Sequence, residues 1–229
     1  MKKFRFAILG AGHIARQFCD AVSRIDGCEV CAVASKSLAR AENFAKENGV
    51  ESYYDDYETL LEKERPDCAY IAVTTNDHYR LSVLCVNHSV PVLCEKAMFQ
   101  NSEEAKNLYA LASEKKIFVM EALWSRYLPA VQQAKRWVEQ EKIGTPTVLQ
   151  CNIGFVAPDD KENRYFDPKL GGGAAKDITV YAYEITTFIL NQAIKNISVS
   201  ATWSDTGVDV TDHVAICFED TFADLLDLK

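Results

Sequence analysis

Gly10, Gly12 and Ala15 form a Gly-x-Gly-x-x-Ala run directly behind an apolar stretch of strand length, residues 4–9. Residues of these types at this spacing suit one task, the cradling of a phosphate group. Gly10 permits a tight turn out of the strand. Gly12, lacking a Cβ, lets backbone N–H groups approach a pyrophosphate, and Ala15 lets the following helix pack closely on the strand. The anion then sits at a helix N-terminus, where unpaired N–H groups and the macrodipole favour negative charge. His13 and Ile14, in the first helical turn, complete this part of the candidate contact set. Gly-rich turns of this kind also serve plain packing, so the motif draws its weight from its strand–turn–helix context.

The next chemical signal follows the second apolar run, residues 28–34. A dinucleotide site of the NAD type places Asp or Glu there to accept from the ribose hydroxyls. This chain instead has Ser35 and Lys36, with Arg40 one helical turn on. A hydroxyl and two cations suit a 2′-phosphate, so NADP is favoured over NAD as the cofactor. A solvated basic helix start is the plainer reading of the same residues, slightly unfavourable against the helix dipole. Residues 67–74 form another apolar run. It ends in Thr74, Thr75, Asn76, Asp77 and His78, a polar cluster where doubly wound sheets bind their ligands. Asn76 or Asp77 is also expected to cap a helix over residues 78–87. Glu95 and Lys96 close the run 90–94 in the same way.

The elements that position these residues read as an alternation. Strands are expected at 4–9, 28–34, 52–54, 67–74, 90–94 and 117–120. Helices are expected at 14–24, 37–48, 57–64, 78–87 and 102–116, the last opened by the box Ser102-Glu103-Glu104-Ala105. This is a doubly wound α/β Rossmann domain over residues 1–122. Beyond it the pattern changes to α+β. A helix is expected at 124–141, a long strand at 145–156, a polar stretch at 158–168 and a helix at 174–191. Strands at 197–203 and 213–218 complete the reading. Residues 123–229 are accordingly a second domain, for substrate binding and oligomerisation, which is expected to be incomplete.

Composition narrows the partners. The 229 residues are 48% hydrophobic and 25% charged, with a net charge of −8. That balance speaks against a nucleic-acid or anionic-membrane surface and leaves room for one phosphate pocket. Lys2 and Lys3 precede an apolar run too short and too glycine-broken for a signal peptide, and no other stretch has transmembrane length. The eight cysteines fall on apolar segments, as unpaired thiols in a reducing cytoplasm do. Cys28 and Cys31 match C-x-x-C, yet in a strand residues three apart point to opposite faces. No metal site is expected.

In four stretches the chain resembles the glucose-fructose oxidoreductase and inositol dehydrogenase family (Gfo/Idh/MocA), and within it the dihydrodiol dehydrogenase-like branch. They are Ile8 to Ala15, Cys94-Glu95-Lys96, Met120 to Arg126, and Leu170-Gly171-Gly172-Gly173 through Tyr181. The resemblance implies a Rossmann domain followed by a domain with an open, mostly antiparallel sheet, and an active site between them. It implies that Lys96 contacts nicotinamide and substrate, that Trp124 and Arg126 lie near the cofactor, and that Asp177 and Tyr181 are catalytic, the tyrosine as acid/base. It also implies a small-molecule sugar, polyol or diol substrate and a homo-oligomer built on the second sheet.

Chemistry at these residues is consistent with that. Hydride leaves a carbinol carbon only as the hydroxyl proton departs, so a base within hydrogen-bond reach is required. A free tyrosine titrates near 10, and a neighbouring ammonium brings it down. Asp177 and Tyr181, four apart on one helix, share a face. Read without the resemblance, Tyr181 among Ile178, Ile185 and Phe188 is a core tyrosine. Ala97 follows Lys96 where the family has proline. A cis bond there costs about 2.5–4 kcal/mol, so a trans peptide is expected. A non-catalytic nucleotide-binding or regulatory protein, or an inactive shortened family member, is the alternative reading.

Overall fold

The computed structural model describes residues 2–158, 160 and 162–228; Asp159 and Lys161 of the expected polar stretch lie outside the described residues. The chain forms two compact units, Met1–Ala122 and Leu123–Lys229.

The first unit is a six-stranded, wholly parallel sheet in the order β3-β2-β1-β4-β5-β6. Its elements are β1 (Phe4–Leu9), α1 (His13–Ser23), β2 (Cys28–Ala34), α2 (Leu38–Asn48), β3 (Ser52–Tyr54) and α3 (Tyr57–Glu64), then β4 (Cys68–Ile71), α4 (Thr75–Asn87), β5 (Val92–Cys94), α5 (Ser102–Lys115) and β6 (Val119–Glu121). The strands are short apolar runs because both faces are covered. Ala7 and Leu9 of β1 lie in one core cluster with Leu60, Leu81 and Leu108, while Ile8 packs on the other side with Ala15 and Phe44. Alternate residues of one strand thus serve two cores, as helices on both faces of a parallel sheet require. Helix starts follow their caps. Ser37 accepts from the Arg40 N–H, Asp56 from that of Thr59, and Asn101 from that of Glu104.

Strands β4 and β5 are shorter than the expected 67–74 and 90–94, and the boundary that bears on the site differs as well. Helix α4 begins at Thr75 behind Thr74, so Asn76 and Asp77 lie inside its first turn rather than capping it. The Thr74 hydroxyl donates to Asn76 Oδ1 at 2.6 Å, and Asp77 is taken up by two cations described below. The Lys96–Ala97 peptide is cis, which corrects the trans expectation. Contacts distant in sequence hold the peptide that follows it: His78 Nδ1 lies 2.9 Å from the Ala97 oxygen, and the Met98 N–H donates to Glu121 Oε1 at 2.8 Å.

The second unit begins with a 3-10 turn (Trp124–Tyr127) and α6 (Pro129–Glu139). A single helix over 124–141 does not form, because Pro129 holds Leu128 in extended backbone (φ −63°, ψ 132°) and opens a new helix as its first residue. After β7 (Val148–Gly154), a π-helical turn (Ala175–Thr179) runs directly into α7 (Val180–Leu190). Three strands follow, β8 (Ile194–Trp203), β9 (Asp209–Phe218) and β10 (Phe222–Leu228). The sheet order is β7-β10-β9-β8; only β7 and β10 pair in parallel. Val214, Ile216, Phe218, Ala223 and Leu225 pack beneath Ala182 and Leu190 of α7. The sequence reading contains no β10, although that strand occupies the middle of the sheet.

Two carboxylates lie on this core-facing side. Asp212 and Asp227 are directly opposite one another across β9 and β10, and both are buried, Asp227 to 0% exposure. The Thr179 hydroxyl donates to Asp212 Oδ2 at 2.7 Å, while neither Asp227 oxygen meets a donor in hydrogen-bond geometry. Burial first, and the Asp212 charge with it, push the Asp227 carboxyl up to about 6, against a partial offset from Thr179 and the Ile153 N–H. A carboxyl raised in the folded state costs stability as pH climbs from the ordinary carboxylate value through 6, and the cost is constant above that. Asp227→Asn is therefore expected to raise stability by about 3 kcal/mol near pH 7.5 and to change it little near pH 4. Denaturant melts of both proteins at the two pH values measure this, and an equal difference at both would refute it.

Candidate active site

The phosphate cradle is built by three strand ends. β1 lies between β2 and β4, and its chain leaves the sheet at Gly10. Gly10 has φ +115°, and a Cβ there would stand 2.6 Å from the Ala72 oxygen and 2.9 Å from the Val73 nitrogen. Glycine is required there by the protein itself. Gly12 differs. Its backbone is extended, with φ −102° and ψ −174°, and a Cβ would meet nothing nearer than the Ala72 oxygen at 3.8 Å. Gly12 caps α1, and no side chain bonds the first-turn N–H groups of that helix. A cap without a side chain leaves the first-turn N–H groups to an anion, so this turn fits a dinucleotide. His13 is exposed at the mouth of the turn, while Ile14 and Ala15 face the core.

Around the cradle the candidate residues divide. Ser35 is buried and its N–H donates to the Tyr54 oxygen at 3.1 Å. Lys36 is exposed, and its ammonium sits 2.5 Å from Asp77 Oδ2, with Arg80 Nε 3.2 Å from Asp77 Oδ1. Burial works to raise the Asp77 carboxyl, and the hydrogen bonds and charges of Lys36 and Arg80 outweigh it, holding the group below the ordinary carboxylate range. Arg40 is exposed on α2. Thr75 is partly buried and Asn76 exposed at the start of α4.

His78 and Glu95 turn inward. His78 is 1% exposed, and its second ring nitrogen lies 3.1 Å from the Val73 oxygen. The imidazole thus ties the loop after β4 to the turn after β5, and burial keeps it below the ordinary histidine range despite its two carbonyl partners. Glu95, also buried, accepts from the Tyr70 hydroxyl at 2.5 Å and from the Lys96 N–H at 3.3 Å. Burial raises its carboxyl. The backbone that carries Lys96 is fixed from three sides, by Glu95, His78 and Glu121. None of these three roles is visible in the local sequence around Lys96.

In the second unit, Trp124 Nε1 donates to the Tyr181 hydroxyl at 2.9 Å, with the two rings edge to face at 5.9 Å. Tyr181 is only partly buried, and Trp124 is 55% exposed. Asp177 lies in the π-helical turn, 3.8 Å from an Arg164 nitrogen. Arg126 is committed to Glu184, Nε to Oε1 at 2.7 Å, with its guanidinium over the Phe188 ring. Ser125 donates to the other Glu184 oxygen at 2.8 Å. Glu184 is 4% exposed and absent from the sequence reading. Its signal was a lone carboxylate inside the apolar run of α7, where an unpaired charge is costly.

Comparison with known proteins gives this geometry its family. Residues 4–123 match the profile described as oxidoreductase family, NAD-binding Rossmann fold, and residues 131–221 match the GFO/IDH/MocA C-terminal domain. The chain belongs to the Gfo/Idh/MocA oxidoreductase family. Among its relatives is the trans-1,2-dihydrobenzene-1,2-diol dehydrogenase of Mus musculus, 33% identical over 215 residues that cover 93% of this chain and 64% of that protein. The Danio rerio enzyme of the same name is 30% identical over 217 residues, with the same coverage. The chain therefore spans about two-thirds of the length of these relatives. An oxidoreductase from Thermotoga maritima superposes with a TM-score of 0.88 at 27% identity, over 99% of this chain and 72% of that one. GenD2 of gentamicin A biosynthesis, solved with NAD, shares the fold at a TM-score of 0.91 and 18% identity, over 100% of this chain and 66% of that one. Among the described residues no helix is long and apolar enough to cross a membrane.

Proposed function

We propose that this chain is an NAD(P)-dependent oxidoreductase that moves a hydride between nicotinamide and a secondary hydroxyl or carbonyl of a sugar, polyol or cyclic diol, with NADP favoured. The observation that carries the reading is the uncapped N-terminus of α1 behind Gly10 and Gly12. Support comes from the family and from the names of the dihydrodiol dehydrogenases above. The nicotinamide, when bound, supplies the hydride acceptor or donor. The chain's own part is to bind, orient and manage one proton. Gly12, His13 and Ile14 would hold the pyrophosphate, Ser35, Lys36 and Arg40 the adenosine ribose, and Thr74, Thr75 and Asn76 would lie beside it, while His78, the fourth expected contact, is buried and would act only by holding the loop that carries them. Lys96 holds its ammonium toward the reacting oxygen on a turn anchored by Glu95. Tyr181 exchanges the hydroxyl proton, with Asp177 as its partner, and Trp124 and Arg126 orient the ligand. Residues 1–122 are the cofactor domain and residues 123–229 the substrate and assembly domain, through whose sheet copies of the chain associate. Eight free thiols suit a reducing cytoplasm.

Isothermal titration with NADPH and NADH tests this directly. Saturable binding of both, tighter for NADPH, is the expected result. Binding of neither would overturn the reading.

A further inference from the structure

The strand end where an NAD-type site carries its acid has none, yet a carboxylate reaches that place from elsewhere in the fold. Lys36 follows β2 and Asp77 lies in the first turn of α4, which follows β4. β1 and its glycine turn lie between them in the sheet. The Lys36–Asp77 ion pair thus joins the two loops that flank the phosphate cradle. Its partners are unequal. The Asp77 side chain is 15% exposed and gripped by Arg80 as well, whereas the Lys36 side chain is 67% exposed at the end of a flexible stem. The lysine is the exposed member and the aspartate the enclosed one, held by two cations. Tyr57, buried at the start of α3, lies within electrostatic reach of Lys36, Asp77 and Arg80.

We propose that Asp77 is a specificity-determining residue for the nucleotide, which restrains Lys36 and thereby limits the discrimination between a 2′-phosphate and a free ribose hydroxyl pair. This rests on the dinucleotide reading given above. A 2′-phosphate that recruits Lys36 brings a second anion up to a fixed carboxylate, and like charges at such separation oppose binding. A ribose without phosphate meets no such opposition, and both Asp77 oxygens are already held by Lys36 and Arg80. With Asp77 present, Lys36, Arg80 and Asp77 sum to one positive charge. With asparagine in its place they sum to two. Specificity is a difference of affinities, so removal of the repulsive element acts mainly on the phosphorylated ligand.

The test is fluorescence titration of the full chain with NADPH and NADH, for wild type, Asp77→Asn, Asp77→Glu and Asp77→Asn with Lys36→Gln. Asp77→Asn is expected to tighten NADPH about tenfold and to leave NADH within about threefold. Asp77→Glu keeps the charge and the wild-type ratio. The double variant loses the gain, because the restraint acts through Lys36. An unchanged ratio in Asp77→Asn, with both nucleotides still bound, overturns this inference alone. A wild type that binds neither nucleotide overturns the dinucleotide reading and the inference with it.

Discussion

Gly10→Ala is expected to lower the stability of the first unit by about 3 kcal/mol or more, and its melting temperature by roughly 10 °C, before any ligand is considered. Two costs combine. An L-residue at φ +115° is strained, and its Cβ would stand 2.6 Å from a backbone oxygen that cannot move without shifting the chain after β4. Gly12→Ala is the contrasting case. Its backbone is open to any residue and its Cβ would touch nothing closer than 3.8 Å, so stability should change by less than about 1 kcal/mol. What it should lose is dinucleotide affinity, by about tenfold or more, because the methyl group occupies the approach to the α1 N–H groups. Thermal melts and NADPH titration of the two variants separate the effects. Equal melting temperatures for both variants would show that Gly10 is dispensable to the fold, and unchanged NADPH affinity in Gly12→Ala would remove the cradle assignment.

The second large effect concerns turnover. Tyr181→Phe and Lys96→Ala are each expected to reduce hydride transfer by about 10²–10⁴-fold, the usual range for a general acid/base, while NADPH affinity stays within about threefold. The fold should survive both. Tyr181 is partly exposed, and the Trp124 Nε1 that it leaves can meet water. The Lys96 turn keeps its anchors at Glu95, His78 and Glu121. Nicotinamide absorbance, followed with a panel of diols, polyols and sugars, reads the rate. Undiminished turnover in either variant would remove that residue from the proton path.

Where the sequence was legible and where it was not follows physical lines. The first unit reads well because its signals are local: β1 to β5 are apolar runs, Ser37, Asp56 and Asn101 are caps, and Gly49 stops α2 with φ +67°. Asp77 is legible as one member of a polar cluster and as one of two candidate caps, but its partners, Lys36 and Arg80, are not, since one of them is 41 positions away. In the second unit the misses share a cause. A π-helical turn does not follow the 3.6-residue period, so 174–191 looked like one regular helix. β10 escaped because its alternation puts Asp227, a carboxylate, where a core residue belongs. Glu184 escapes for a related reason: its partners Ser125 and Arg126 are 59 and 58 positions away, so nothing local identifies the groups that let it be buried. Pro129 was the exception, a plain signal for a new helix start that the reading passed over.

The place of β10 also governs how the second unit can be made. It lies between β7 and β9, yet it is the last of the four strands in sequence. On a ribosome, β8 and β9 can form a hairpin as soon as they emerge, and the first unit can fold complete from its own nearby strands. β7 has no such option. Its backbone donors and acceptors stay unpaired through the synthesis of everything from Phe155 to Asp220, with Leu149, Cys151 and Ile153 left uncovered. A slow passage through this interval leaves β7 open to pairing with another nascent chain, which ties yield to the timing of β10 as well as to the stability of the sheet.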